Sequence, residues 1–168
     1  MVERLDPIKL GKYYKANQTG FFLDIKKWHS FRTRYKFEWD VVPFQPDNRD
    51  DVPEEPGLYA FVLSSDHPKL PPHAYVLYVG QSGHGTSKHN LKKRFGDYLR
   101  DQRNGTGRYA VYRMLVEFKD DLKFYFAAMP NAKAELEDVE TKLLSAIVPP
   151  VNQNDFEADV KVARKAAF

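Results

Sequence analysis

Two apolar runs near the middle of the chain, GLYAFVL at 57–63 and AYVLYVG at 74–80, are short and rich in aromatic and β-branched residues. Such runs read as strands, and the long connection DHPKLPPH between them makes an antiparallel pair. From Lys88 to Arg103 the periodicity changes. Leu91, Phe95, Tyr98 and Leu99 recur at i, i+4, i+7 and i+8, one apolar stripe of a helix, and NGTG at 104–107 ends it. YAVYRMLVEF at 109–118 fits a strand or a helix equally well, whereas LKFYFAAM at 122–129 reads as a third strand. Pro130-Asn131 opens a second long helix over 132–147, which Pro149-Pro150 stops.

These elements predict an α/β (α+β) fold, with a small, mainly antiparallel three-stranded central sheet flanked by helices. Before it, PFQPDNRDDVPEEP at 43–56 is rich in proline and acids and reads as a linker. The expected division is an aromatic, basic N-terminal extension with linker over 1–55, a domain over 56–155 and a C-terminal tail over 156–168. Within the extension, FFLDI and YKFEWDVV look like short strands, or a helix and a strand.

Composition narrows the chemistry. The chain has no cysteine, which excludes disulfides, zinc–thiolate sites and thiol nucleophiles. No apolar run approaches the length of a membrane span, and MVERLDPIKL lacks the apolar core of a signal peptide. A cytoplasmic protein without membrane association is expected. The net charge of +3 hides a segregation. From Lys88 to Arg113 eight Lys and Arg stand against two Asp, whereas from Glu117 to Asp159 ten acids stand against four bases. Basic segments interleaved with Tyr, Phe and Trp suit a polyanion.

Two charges fall where the helical periodicity asks for apolar residues. Arg94 sits three residues after Leu91, inside the first stripe. Glu140 sits midway between Leu136 and Leu144, inside the second. A charge on a buried face costs several kcal/mol unless it is paired or coordinated. A structural ion pair accounts for one such charge; one on each helix, near strands that carry tyrosines, points to a site.

The glycines of YVGQSGHGTSKHN at 78–90 raise the alternative of a nucleotide loop. Neither phosphate-binding pattern fits: Gly85 is followed by Thr86-Ser87-Lys88, which misplaces the lysine, and the glycines at 80, 83 and 85 miss the dinucleotide spacing. The segment reads instead as a flexible, basic-flanked connection. His84, His89 and His29 are assigned to solvent or packing.

The ordered set GLY at 57–59, YVG at 78–80, LKKR at 91–94, Glu140 and PPVN at 149–152 resembles the GIY-YIG nuclease family. The resemblance covers about 56–155, and residues 1–55 have no counterpart in it. It departs from the family pattern in the length of the strand connection and of the link to the first helix, where substrate contacts are shaped.

The resemblance implies a metal-dependent DNA endonuclease, of restriction or structure-specific type. One Mg²⁺ or Mn²⁺ would sit on Glu140, and Arg94 would stabilise charge on the phosphate. Tyr59 is the first choice for acting on the attacking water, with Tyr78 hydrogen-bonded beside it and Tyr98 as a proton relay. Asn152 fixes the turn and orients the site. Lys88, Lys92, Lys93, Arg100, Arg103 and Arg108 are expected to contact DNA phosphates, and a homodimer would cut both strands. The alternative is a non-catalytic nucleic-acid-binding module on the same fold.

Overall fold

The computed structural model describes residues 6–65, 68–154 and 156–167. The sheet has four strands, one more than the apolar runs predict. Strand β1 (Asp40–Pro43), β2 (Gly57–Ser64), β3 (Ala74–Ser82) and β4 (Leu122–Ala128) lie in the order β1-β4-β2-β3, with every neighbouring pair antiparallel. The added strand, β1, comes from the segment expected to be an extension. Only Val42 of β1 is buried, so its apolar signature is too weak to stand out in the sequence.

Strand β2 is central and pairs with both β3 and β4. Its residues from Gly57 to Val62 are buried, because helices cover both faces of the sheet. That explains an unbroken apolar run where a one-sided sheet would alternate. Tyr59, Phe61, Tyr78, Phe124 and Phe126 face helix α3 (Leu91–Asn104) and helix α4 (Tyr109–Glu117). Leu58, Ala60, Val62 and Val79 face helix α5 (Leu136–Ile147) and helix α6 (Ala158–Ala167).

Helix α3 starts at Leu91, later than expected, because the Asn90 side chain accepts the Lys93 backbone N–H at 2.8 Å and caps it. It ends at Gly105, whose φ of 68° is left-handed. The ambiguous segment is helical, and α4 buries Val111, Met114 and Leu115 at helical spacing. Pro130–Ala132 form a separate 3₁₀ turn, so α5 begins at Leu136 rather than at 132.

The proline-rich segment is packed structure rather than a linker. It carries a 3₁₀ helix (Pro46–Asp51), and Phe44 and Val52 on either side are 1% exposed. Phe44 meets Phe61 and Phe95 edge-to-face at 5.0 Å each. Backbone bonds from Leu91 to Glu55 and from Met129 to Pro56 fasten its far end. The C-terminal segment folds as α6, with Phe156 and Val160 buried against the α5 side of the sheet.

The N-terminal segment holds helix α1 (Pro7–Ala16), with no buried residue, and helix α2 (Ile25–Ser30). FFLDI forms no strand. Phe21 instead lies 5.1 Å from Tyr75 of β3, ring centre to ring centre. No helix among the described residues is long and apolar enough to cross a membrane.

Candidate active site

Pairing of β2 with β3 sets Tyr59 opposite Gly80 and Phe61 opposite Tyr78. The Tyr59 ring folds across the bare face of Gly80. A Cβ at that position would fall 2.3 Å from the Tyr59 hydroxyl oxygen, so glycine is a steric requirement there. The ring stacks on Phe124 at 5.3 Å and places its hydroxyl 2.8 Å from that of Tyr98 on α3. Both hydroxyls are buried, and burial pushes both phenols above their ordinary values. The Tyr59–Tyr98 pair is therefore a neutral hydrogen-bonded couple.

Tyr78 has a different partner. The Arg108 guanidinium donates to its hydroxyl at 2.5 Å, and the guanidinium carbon lies 5.5 Å from the ring centre. Burial works against the Arg108 charge, but the Tyr78 oxygen outweighs it and holds the group above its ordinary value. Tyr59 thus bonds Tyr98 rather than Tyr78, and Tyr78, held by Arg108, meets the Tyr98 hydroxyl from its other side.

Arg94 precedes Tyr98 by one helical turn and is half-buried, at the wet edge of the stripe rather than its centre. Burial opposes its charge too, and the oxygens of Tyr59 and Tyr98 outweigh that cost. Its Nε is buried and has no hydrogen-bond partner among the described residues. An orphaned guanidinium donor is rare enough to require an explanation. Gln81, just past Gly80, has a buried side-chain oxygen in the same condition.

These groups share one cavity of about 500 Å³. Tyr59, Tyr78, Arg94 and Tyr98 line it from the α3 face, and Glu140 lines it from α5 on the other face. The cavity thus joins side chains from elements on both faces of the sheet. Of the predicted phosphate contacts it takes in Arg108 alone. It adds Gln81, Glu137, Thr141, Phe156 and Lys161 to the expected set. Glu137 was readable three residues before Glu140 on the same helix face. Lys161 lies beyond the stretch with any motif, so nothing in the sequence marked it.

Asn152 stands apart from the cavity and acts on the backbone. Its side-chain oxygen accepts the Val79 N–H at 2.9 Å, and its nitrogen donates to the Val79 carbonyl at 2.8 Å. The carboxamide thereby imitates a neighbouring strand on the open edge of β3. The expected role in a turn is thus realised as a clamp between the end of α5 and the sheet.

The remaining basic residues lie elsewhere. Lys92 pairs with Asp50 at 3.0 Å, Arg100 with Asp97 at 2.9 Å, and Lys93 donates to the Lys88 carbonyl at 3.1 Å. Arg103 donates to its neighbour Asn104 at 3.3 Å. The glycine-rich connection is tied down rather than loose: Lys133 donates to the Ser87 carbonyl at 2.7 Å, and the Gly85 N–H donates to the Lys133 carbonyl. Carboxylates do stand beside the loop histidines, with Glu137 at 3.6 Å from His84 and Asp97 at 3.8 Å from His89. Among the described residues, no cluster of three or more His, Asp or Glu suited to a metal ion forms.

The cavity therefore sets Arg94, Arg108 and Lys161 with the carboxylates of Glu137 and Glu140 around three phenols. Such a set can grip a phosphate on its cationic side and a hard cation on its acidic side. The chain matches no family model, no curated protein and no solved structure.

Proposed function

We propose that the chain is a metal-dependent endonuclease that hydrolyses DNA phosphodiester bonds, of restriction or structure-specific type, on a GIY-YIG-like architecture. One observation carries this reading: Tyr59, Tyr78, Arg94, Tyr98 and Glu140 come from four separate elements and meet in a single cavity. The orphaned Arg94 Nε adds a donor with nothing of its own to bind.

The donor set fits Mg²⁺ or Mn²⁺. Mg²⁺ characteristically binds through one or two carboxylates, keeps several waters and takes its remaining oxygens from substrate phosphate. Glu140 would hold it, with Glu137 on the same helix face and the unpartnered Gln81 oxygen as a neutral oxygen ligand. When bound, the ion supplies Lewis-acid polarisation of a phosphate oxygen and stabilises the leaving 3′ oxygen.

Arg94 binds a non-bridging phosphate oxygen through its fixed fork of donors and offsets the charge that grows there. Tyr78 is the phenol that receives a cation from the protein, and it orients the attacking water. Tyr59, held neutral against Tyr98, keeps the phenolic wall of the cavity in place. Hydrolysis joins the water oxygen to phosphorus and breaks the P–O3′ bond, and the 3′ oxygen leaves with a proton. The reading carries with it DNA as partner, a cytoplasmic setting and a homodimer where both strands are cut.

The test is incubation with supercoiled, linear, single-stranded and branched DNA in Mg²⁺ or EDTA, followed by mapping of the ends. Cleavage that needs the metal and disappears in Glu140→Ala, with DNA binding kept, supports the proposal. Binding without cleavage on every DNA form makes the chain a non-catalytic nucleic-acid module. Unchanged cleavage by Glu140→Ala sinks the site.

A further inference from the structure

A second cavity, of about 360 Å³, lies beside the first. At two points successive residues of the chain line the two cavities, one each. On β3, Leu77 lines the second cavity and Tyr78 the first; at the start of α4, Tyr109 lines the second and Arg108 the first. The arrangement on β3 has a structural origin. Phe61 pairs with Tyr78 and Val62 with Val76, so Leu77 is the extra residue of a β-bulge. A bulge breaks the alternation of side chains and re-aims one of them. Here Leu77 and Tyr78 both join the cluster on the α3 and α4 face.

The second cavity is lined unlike the first. Leu77, Met114 and Val151 give it an apolar floor, and Tyr109 is 78% exposed at its rim. Gln18 and Thr19 supply a side-chain amide and a hydroxyl, neither in a hydrogen bond among the described residues. Arg113 holds that wall in place by donating to the Ala16 carbonyl at 3.3 Å while pairing with Glu117 at 2.7 Å. An apolar cleft with a few polar groups, of this volume, is typical of a small-molecule site.

We infer that this cavity receives the base of the nucleotide flanking the scissile phosphate, unstacked from its neighbours and covered by Tyr109. The inference rests on the phosphodiesterase reading of the first cavity. A phosphate held by Arg94 and Arg108 leaves the adjoining sugar within reach of the neighbouring cavity. There an aromatic face and an apolar floor accept any base, and the amide and hydroxyl meet its polar edge. Recognition of unstacked bases by aromatic side chains follows this scheme in other nucleic-acid proteins. A substrate with an unpaired or extruded nucleotide beside the cut is the class this geometry takes.

The test compares binding of a short single-stranded deoxyoligonucleotide with that of an abasic deoxyribose-phosphate oligomer of equal length, in EDTA so that nothing is cut. Base stacking predicts a preference of at least about fivefold for the oligomer with bases. Tyr109→Phe keeps the preference, whereas Tyr109→Ala and the cavity-filling Ala110→Trp bring it close to one. Tyr109 is 78% exposed, so its substitution leaves the core untouched, and a melting curve checks that Ala110→Trp, at a half-buried position, is folded. Equal affinity of the wild type for both oligomers, with metal-dependent cleavage intact, overturns this inference and leaves the nuclease reading standing. A preference that survives both Tyr109→Ala and Ala110→Trp overturns it as well. Binding of neither oligomer, without cleavage of any DNA, overturns both readings.

Discussion

The Arg108 guanidinium donates to the Tyr78 hydroxyl oxygen across 2.5 Å, linking the first residue before α4 to the edge strand of the sheet. The same guanidinium lines the cavity that Tyr78 lines, while the residue as a whole keeps an exposed surface.

Two roles for Arg108 lead to different kinetics. If it arms Tyr78, Arg108→Ala lowers the cleavage rate at saturating enzyme roughly 10²–10³-fold, the scale of losing one charge-stabilising donor. Arg108→Lys restores the charge without the fork and recovers part of that loss. If Arg108 only contacted a backbone phosphate, affinity and its salt dependence would fall and the saturated rate would stay. Single-turnover cleavage at several salt concentrations separates the two.

The Tyr59–Tyr98 couple makes stability fall in alkali. Both phenols stand above their ordinary values in the folded chain, first because they are buried. Unfolded tyrosines release their protons near pH 10. Above that pH the folded state binds more protons than the unfolded one, so unfolding becomes easier as pH rises. Each group contributes a slope of about 1.4 kcal/mol per pH unit there and none at neutral pH. The double variant Tyr59→Phe/Tyr98→Phe removes both hydroxyls together, which leaves stability at pH 7 nearly unchanged. Urea denaturation at pH 7, 10 and 11 should show a shallower alkaline loss in the double variant. Parallel curves for the two proteins would count against the couple.

Much of the site was legible because its residues violate a local pattern. Arg94 and Glu140 interrupt apolar stripes, and Tyr59 and Tyr78 stand beside glycines at strand ends; the structure brings all four to one cavity. The sheet was less legible at its margin. Strand β1 has a single buried residue and owes its place to pairing with β4, a long-range contact that local periodicity does not encode. The proline-rich segment misled for a related reason. Its composition suggests a solvated linker, yet Phe44 and Val52 bury themselves against α3 and the sheet. Lys161 enters the cavity because Phe156 and Val160 dock α6 on the α5 side, a tertiary event without a motif.

Gly80 is the tightest steric point of the site. Its added Cβ would meet the Tyr59 hydroxyl oxygen at 2.3 Å and the adjoining ring carbon at 2.5 Å. Tyr59 is 2% exposed and stacked on Phe124, which holds its ring over Gly80, so an added methyl must push the ring off that stack. Gly80→Ala should therefore cost roughly 1–3 kcal/mol, as overpacking does, and displace the Tyr59 hydroxyl from Tyr98. Gly85→Ala is the contrast. Nothing lies within 4 Å of a Cβ there, and only its left-handed φ of 58° opposes the change. Thermal melting of the two variants, with tyrosine ring shifts read by NMR, checks the difference. A Gly80→Ala protein with wild-type stability and unshifted Tyr59 signals would refute the close approach.

Asn152 clamps the edge strand, and two substitutions distinguish the clamp from a simple turn residue. Helix α5 ends at Val148, whose φ of 50° is left-handed, an unfavourable conformation for a β-branched side chain. That turn brings Val151 to donate to the Leu77 carbonyl and Asn152 to satisfy both backbone groups of Val79. The side chain is 4% exposed, so water does not replace it. Asn152→Ala leaves a buried N–H and a buried carbonyl without their partner, a loss of roughly 1–3 kcal/mol. Asn152→Asp keeps the bond from the Val79 N–H but sets a carboxylate oxygen against the Val79 carbonyl. Burial and that repulsion raise the folded-state pKa of the new carboxyl, which can donate to the carbonyl only when protonated. Its stabilising contribution is then full below the unfolded value near 3.9 and disappears as pH rises through the folded value. Relative to wild type, the Asn152→Asp protein should regain stability on acidification, whereas Asn152→Ala should show a constant deficit. Denaturation curves between pH 4 and 8 check this, and the same pH-independent deficit in both variants would mean that the carboxamide does not bridge the Val79 backbone.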